Sequence, residues 1–131
     1  MPSRVPLELE LPRTREAPRL ARRRLAEWLA PDLSGRELDD AKLLVTELVT
    51  NALVYGRGRI GLCAQRDNKR LLIEVFHQGH GFERILRERG RIGGQGFIIV
   101  DALASRWGIH DGSSHVWCEL ERHESAHEPE S

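Results

Sequence analysis

The spacing of apolar residues changes period several times along the chain, and each change marks an element. Val5, Leu7, Leu9 and Leu11 alternate with polar or small residues, which predicts a strand that Pro12 closes. From Ala17 to Ala30 the pattern turns helical: Leu20, Leu25, Trp28 and Leu29 make one apolar face, and Arg22 to Arg24 lie mostly on another. A longer helix is expected from about Glu37 to Tyr55, with Gly56 as its stop. Arg59 to Gln65 alternates again, Asp67-Asn68-Lys69 reads as a turn, and Leu71 to Phe76 is a strong strand. A glycine-rich stretch follows, HQGHGFERILRERGRIGGQGF, with a short helical piece expected around Glu83 to Glu88. A helix over Ile98–Ser105, a strand over Trp107–His110, a turn at Asp111 to Ser114 and a strand over His115–Glu121 complete the pattern. The order is β-α-α-β-β-(loop, short helix)-α-β-β. Tight turns between successive strands predict a mostly antiparallel mixed sheet covered on one face by helices, an α+β, two-layer α/β sandwich.

Within the long predicted helix, Glu47 and Asn51 stand four residues apart and so point the same way. Leu43 and Val54 flank them on one side, Leu44 and Leu48 on the other, so the pair falls on a face expected to bury apolar surface. Ala41, Val45, Val49 and Ala52 line the other side, leaving Lys42, Thr46 and Thr50 for solvent. A buried carboxylate and amide cost free energy unless they have a partner, and a bound cation, water and phosphate would be one. The alternative is a polar pair that caps or crosslinks helices.

Two glycine clusters add to this pair. His77-Gln78-Gly79-His80-Gly81 closes the Leu71–Phe76 strand, and its spaced glycines permit a tight turn and a close approach of a flat ligand to the backbone. Gly93-Gly94-Gln95-Gly96-Phe97 stands just before a helix, where unpaired N–H groups and the positive dipole end favour phosphate. Either cluster alone is weak evidence; all three motifs in this order are more specific.

Composition narrows the picture further. The 131 residues suit one domain, expected over 1–121, with residues 122–131 a polar, disordered tail. The formal net charge is zero, so bulk charge points neither to direct nucleic-acid contact nor to a membrane. The start of the chain carries no apolar signal run, and no segment approaches the roughly 20 apolar residues of a membrane span. Cys63 and Cys118 sit in strand-like runs and read as free thiols of a reducing cytoplasm, with a disulfide between them left open. His77, His80, His110 and His115 have no spacing typical of a zinc site.

The ordered motifs resemble the GHKL ATPase superfamily, the Bergerat-type ATP-binding fold shared by gyrase, histidine kinases and related proteins. Within it they resemble the small bacterial anti-sigma factor serine/threonine kinases. LVTELVTNALVYG is similar to that branch's first box, and GGQGFIIVDALASRWGIHDGSSHVWCEL to its last box and closing hairpin; the likeness covers about residues 5 to 121. The resemblance implies ATP and Mg²⁺ as cofactors. Glu47 would be the general base, and Asn51 the Mg²⁺ ligand. Gly79 and Gly81 would lie under the adenine, and Gly94 and Gly96, with Gln95 and Phe97 beside them, at the phosphates. Thr50 and Ser114 would be pocket neighbours. It also implies a cytoplasmic regulator whose partners are a sigma factor and an anti-anti-sigma antagonist with a phosphorylated serine, and a possible homodimer.

One position departs from the family pattern. His77 stands where the family usually has Asp, which accepts a hydrogen bond from the adenine amino group. A neutral imidazole accepts one bond through its unprotonated nitrogen, and an imidazolium accepts none. Losing a charged acceptor costs about 1.5–3 kcal/mol, roughly ten- to a hundredfold in affinity. The sequence therefore predicts ATP binding that is weakened, pH-dependent or lost, and in the last case a nucleotide-deficient pseudo-kinase that acts only as a protein-binding module.

Overall fold

The computed structural model describes residues 5–30, 33, 35–78, 95–110 and 115–122. Eight elements follow in chain order: β1 (Leu7–Leu11), α1 (Ala17–Leu29), α2 (Gly35–Tyr55), β2 (Ile60–Arg66), β3 (Arg70–Phe76), α3 (Gln95–Leu103), β4 (Arg106–His110) and β5 (His115–Glu121). The short helix expected around Glu83 to Glu88 lies outside the described residues, as do Gly79, Gly81, Gly94 and Ser114.

The five strands form one sheet in the order β1-β2-β3-β5-β4, and all four ladders are antiparallel. Their register aligns the alternating apolar residues into rows. One row runs Leu9–Leu62–Val75–Val116–Ile109, and another runs Leu7–Ala64–Ile73–Cys118–Trp107. These rows join the core with Leu25 and Leu29 of α1, Leu44, Val45, Leu48 and Val49 of α2, and Val100 of α3. The expected two-layer sandwich is thus present, its core between the sheet and the helices.

The intervening rows make the other face. Here Phe76 lies over Gly61 and Trp117 over Gly108, each aromatic ring covering the glycine directly opposite it in the ladder. A Cβ on Gly61 would come within 2.3 Å of the Phe76 ring. The glycines thus let large rings cover a sheet face that, among the described residues, no helix protects. Glu74 and His115 meet on the same face at 3.1 Å, and Arg106 and Glu119 at 3.2 Å.

Cys63 belongs to this face and Cys118 to the core side, two strands away. Strands about 4.8 Å apart put the pair beyond disulfide reach, and both thiols are free. Burial pushes the Cys118 thiol up to about 12 and raises that of Cys63 as well, helped at Cys63 by Glu8 and Glu74.

Several boundaries differ from the sequence expectation, among them the starts of β1 and α3. Val5 is 78% exposed and precedes the strand, although its carbonyl accepts the Trp28 indole N–H at 3.0 Å. Gln95 and Gly96 belong to the first turn of α3, whereas the apolar pattern placed the helix start at Ile98. Periodicity marks only where the apolar face begins, and Gln95 and Gly96 carry no apolar side chain to extend it.

Candidate functional site

Helix α2 carries the centre of the site. Its buried residues are Ala41, Leu44, Val45, Leu48, Val49, Asn51 and Ala52, which merge into a single face. The face expected around Leu43 and Val54 is not buried: these side chains are 41% and 60% exposed. Glu47 stands between the buried and exposed sides and is half-buried, and Asn51 is buried one turn further on. The pair therefore lies along the border of the core, where a side chain is drawn out of water yet remains open to a ligand. Thr46 and Thr50, expected in solvent, are half-buried, and their hydroxyls donate back to the carbonyls of Lys42 and Thr46, each at 2.7 Å. That bond satisfies a hydroxyl within the helix itself, and the Thr46 hydroxyl also accepts from Arg22 of α1 at 3.5 Å.

Neither Glu47 nor Asn51 has a hydrogen-bonding partner among the described residues, and Asn51 Nδ2 is fully buried in that state. A buried amide left unpaired costs about 1–3 kcal/mol. Whether its oxygen or its nitrogen faces a ligand depends on an amide flip of small cost. A carboxamide oxygen is a good ligand for Mg²⁺, a hard cation that prefers oxygen and keeps several waters. An orphaned carboxamide beside an unpaired carboxylate thus fits the metal and phosphate end of a nucleotide site. Helix α3 packs against α2 and brings the backbone of Gln95 and Gly96 into a helical first turn, the part of a helix whose N–H groups are unpaired.

The other end of the site is built differently. His77 directly follows β3, is only 4% exposed, and packs against the end of α2. A Cβ on Gly56 would lie 2.6 Å from His77 Cγ and 2.5 Å from the Ala52 carbonyl oxygen, so the imidazole needs glycine there. His77 Nδ1 accepts the Arg57 N–H at 3.4 Å, a long bond. The Gln78 N–H donates to the Arg57 carbonyl at 2.8 Å, and Gln78 Oε1 accepts the Arg59 N–H at 3.0 Å. Gly58, with φ +69°, completes the turn beneath the Gln78 side chain. His77 and Gln78 thereby latch the α2–β2 turn onto the end of β3.

Sequence reasoning missed Arg13. Its guanidinium donates to the carbonyls of Leu53 at 2.9 Å, Ala52 at 3.2 Å and Gly58 at 2.7 Å. It closes the C-terminal end of α2, where unpaired carbonyls and the negative dipole end favour a cation. No local signal announces this, because the Leu53 carbonyl it covers lies 40 residues further on. Desolvation and, secondarily, the Arg13 charge lower the His77 pKa to about 4. His77 is therefore neutral between pH 6 and 8.

The profile of the histidine kinase-like ATPase domain matches residues 11–119. The chain belongs to the histidine kinase-like ATPase family. It is also 41% identical over 64 residues to the anti-sigma F factor of Clostridium acetobutylicum, a match covering 46% of this chain and 43% of that relative. The chain thus matches less than half the length of that relative. Among the described residues, no helix is long and apolar enough to cross a membrane.

Two clefts lined by described residues lie away from Glu47. One of about 430 Å³ runs beside Arg66, Asp67 and Arg70, and another of about 460 Å³ lies on the uncovered sheet face near Cys63 and Phe76. Neither contains the unpaired polar groups that mark α2.

Proposed function

We propose that this protein is a nucleotide-binding regulator of the anti-sigma kinase type, in which residues 1–121 form the ATPase-like domain and 122–131 a polar tail. The single observation that carries the reading is the unpaired Glu47 and Asn51 along one border of α2. ATP with Mg²⁺ is the family's ligand. Asn51 would hold the metal, and the Gly94–Phe97 backbone would hold the phosphates. Bound Mg²⁺ supplies charge neutralisation at the phosphoryl oxygens. Glu47 would accept the proton of a serine hydroxyl on a partner protein, raising its nucleophilicity. Positioning and electrostatic stabilisation by the fixed N–H groups carry the rest of such a transfer. The relative's name supplies the partner class, a sigma factor, and by extension an antagonist protein that bears the acceptor serine.

A second reading rests on His77, whose ring is spent on the α2–β2 turn and does not offer adenine a carboxylate. A chain unable to hold nucleotide would serve as a protein-binding module alone. The test is label transfer from γ-labelled nucleoside triphosphate to an anti-anti-sigma-type protein. Transfer by the wild type but not by Glu47→Ala supports the kinase. Stable sigma-factor binding without nucleotide binding or transfer supports the module.

A further inference from the structure

Charge is unevenly distributed around α1. Arg15 stands in the turn that leads into the helix, and Arg19, Arg22 and Arg23 follow it at i+4, i+7 and i+8, the spacing of one helix face. The two acids of this segment, Glu16 and Glu27, fall further round the helix and pair with Arg19 and Arg24. Arg15, Arg19 and Arg23 are exposed, and neither Arg15 nor Arg23 has a carboxylate partner among the described residues. Arg22 shows which way the row faces, because its guanidinium reaches the Thr46 hydroxyl of α2.

Beside that contact α2 carries a ridge of its own. Leu43 and Val54, which the apolar pattern placed in the core, are exposed. With Glu47 they stand at i, i+4 and i+11, so the carboxylate lies between two exposed apolar side chains on one helix face. Thr46 and Thr50 occupy the strip between this ridge and the basic row. Asp39 and Lys42, toward the start of α2, offset each other. Arginines meant only for solvent need no apolar neighbour, and a nucleic-acid backbone would gain little from Leu43 and Val54. Arginine around exposed aliphatic groups is instead the composition of a protein interface.

We propose that the row Arg15, Arg19, Arg22 and Arg23 and the ridge of Leu43 and Val54 form one docking surface, and that its occupant is a protein face bearing carboxylates around a small apolar patch. The proposal deepens the kinase reading above and takes the partner's identity from it: a protein seated on the ridge covers Glu47 and can bring a serine hydroxyl to it. The arginines steer the approach and fix the register, and the ridge removes apolar surface from water.

The experiment measures binding of the full chain to the anti-anti-sigma-type protein of the label-transfer test, by calorimetry at about 0.05 M and about 0.5 M salt. The variants are Arg15→Glu, Arg23→Glu, Arg24→Glu and Leu43→Ser/Val54→Ser, each checked for native circular dichroism and for unchanged nucleotide binding. Arg24, two residues from Arg22, lies across the helix from it and controls for bulk charge. Arg15→Glu and Arg23→Glu should each weaken binding about tenfold at low salt and less at high salt, and Arg24→Glu by less than about twofold. Leu43→Ser/Val54→Ser should weaken it at both salt concentrations. Unchanged affinity in the Arg15 and Arg23 variants, an equal loss in Arg24→Glu, or no binding by the wild type would overturn the proposal. So would a wild-type dimer that these variants dissociate without losing the partner protein, since the occupant would then be a second copy. Loss of affinity in the variants with no label transfer by the wild type would overturn the kinase reading and leave the docking surface standing. Transfer by all the variants with an unchanged KM for the protein substrate would do the reverse.

Discussion

The two ends of α2 treat their polar residues in opposite ways. Toward the middle of the helix, Glu47 and Asn51 have no hydrogen-bonding partner among the described residues. At its C-terminal end, Arg13 covers the Ala52 and Leu53 carbonyls, and His77 and Gln78 bind the backbone of the following turn. The first arrangement costs stability and leaves groups available for a ligand. The second stabilises the fold and engages the polar groups there in the turn. Polar residues held at a cost mark a site better than their mere presence does, because a fold under no other constraint would satisfy them or replace them.

This contrast has measurable consequences, the largest at the C-terminal end. The His77 pKa is lowered in the folded chain to about 4 from an ordinary 6.5, so the unfolded state takes up a proton first. Stability from His77 is therefore complete above about pH 6.5 and lost as the pH falls toward 4, by no more than about 3 kcal/mol. Denaturant melts between pH 4 and 7 would show the loss, and His77→Asn should flatten it. Next, Arg13→Ala should cost about 2 kcal/mol by exposing the last carbonyls of α2. It should also shift the His77 titration upward, since the Arg13 charge helps to lower it; imidazole resonances followed by NMR would report this.

At the middle of the helix the sign reverses. Asn51→Leu removes an unpaired buried amide and should stabilise the fold by about 1 kcal/mol in a urea melt, while abolishing Mg²⁺-dependent nucleotide binding. Smallest is Glu47→Gln, expected to move stability by less than about 0.5 kcal/mol yet to lower phosphotransfer at least about a hundredfold. A large loss of stability in either variant would mean that the pair is structural and would erase the contrast.

Much of the fold was legible because burial and periodicity agree. Leu7, Leu9 and Leu11, and then Ile60, Leu62 and Ala64, alternate in sequence and lie in the core rows of the sheet. The Glu47–Asn51 face was legible for the same reason, as a break in an otherwise apolar helix. What periodicity could not convey was which apolar residues lie beyond the break: Leu43 and Val54 look like core and are exposed. The strand order, with β5 between β3 and β4, also depends on long-range pairing that no local pattern encodes. The roles of Arg13 and of His77 Nδ1 arise from contacts 20 or more residues apart in the chain. Residue type alone said that His77 could accept a bond from the base; only its environment shows that the accepting nitrogen is already engaged.

The central claim is that the unpaired pair on α2 belongs to a nucleotide site, and a comparison of wild type with Asn51→Leu tests it most directly. Both proteins would be titrated by calorimetry with ATP and GTP, in Mg²⁺ and in a chelator. The account predicts that the wild type binds at least one of the two nucleotides only when Mg²⁺ is present, and that the better folded Asn51→Leu binds neither. Equal binding by the two proteins, or no binding by the wild type and by His77→Asp alike, would contradict it.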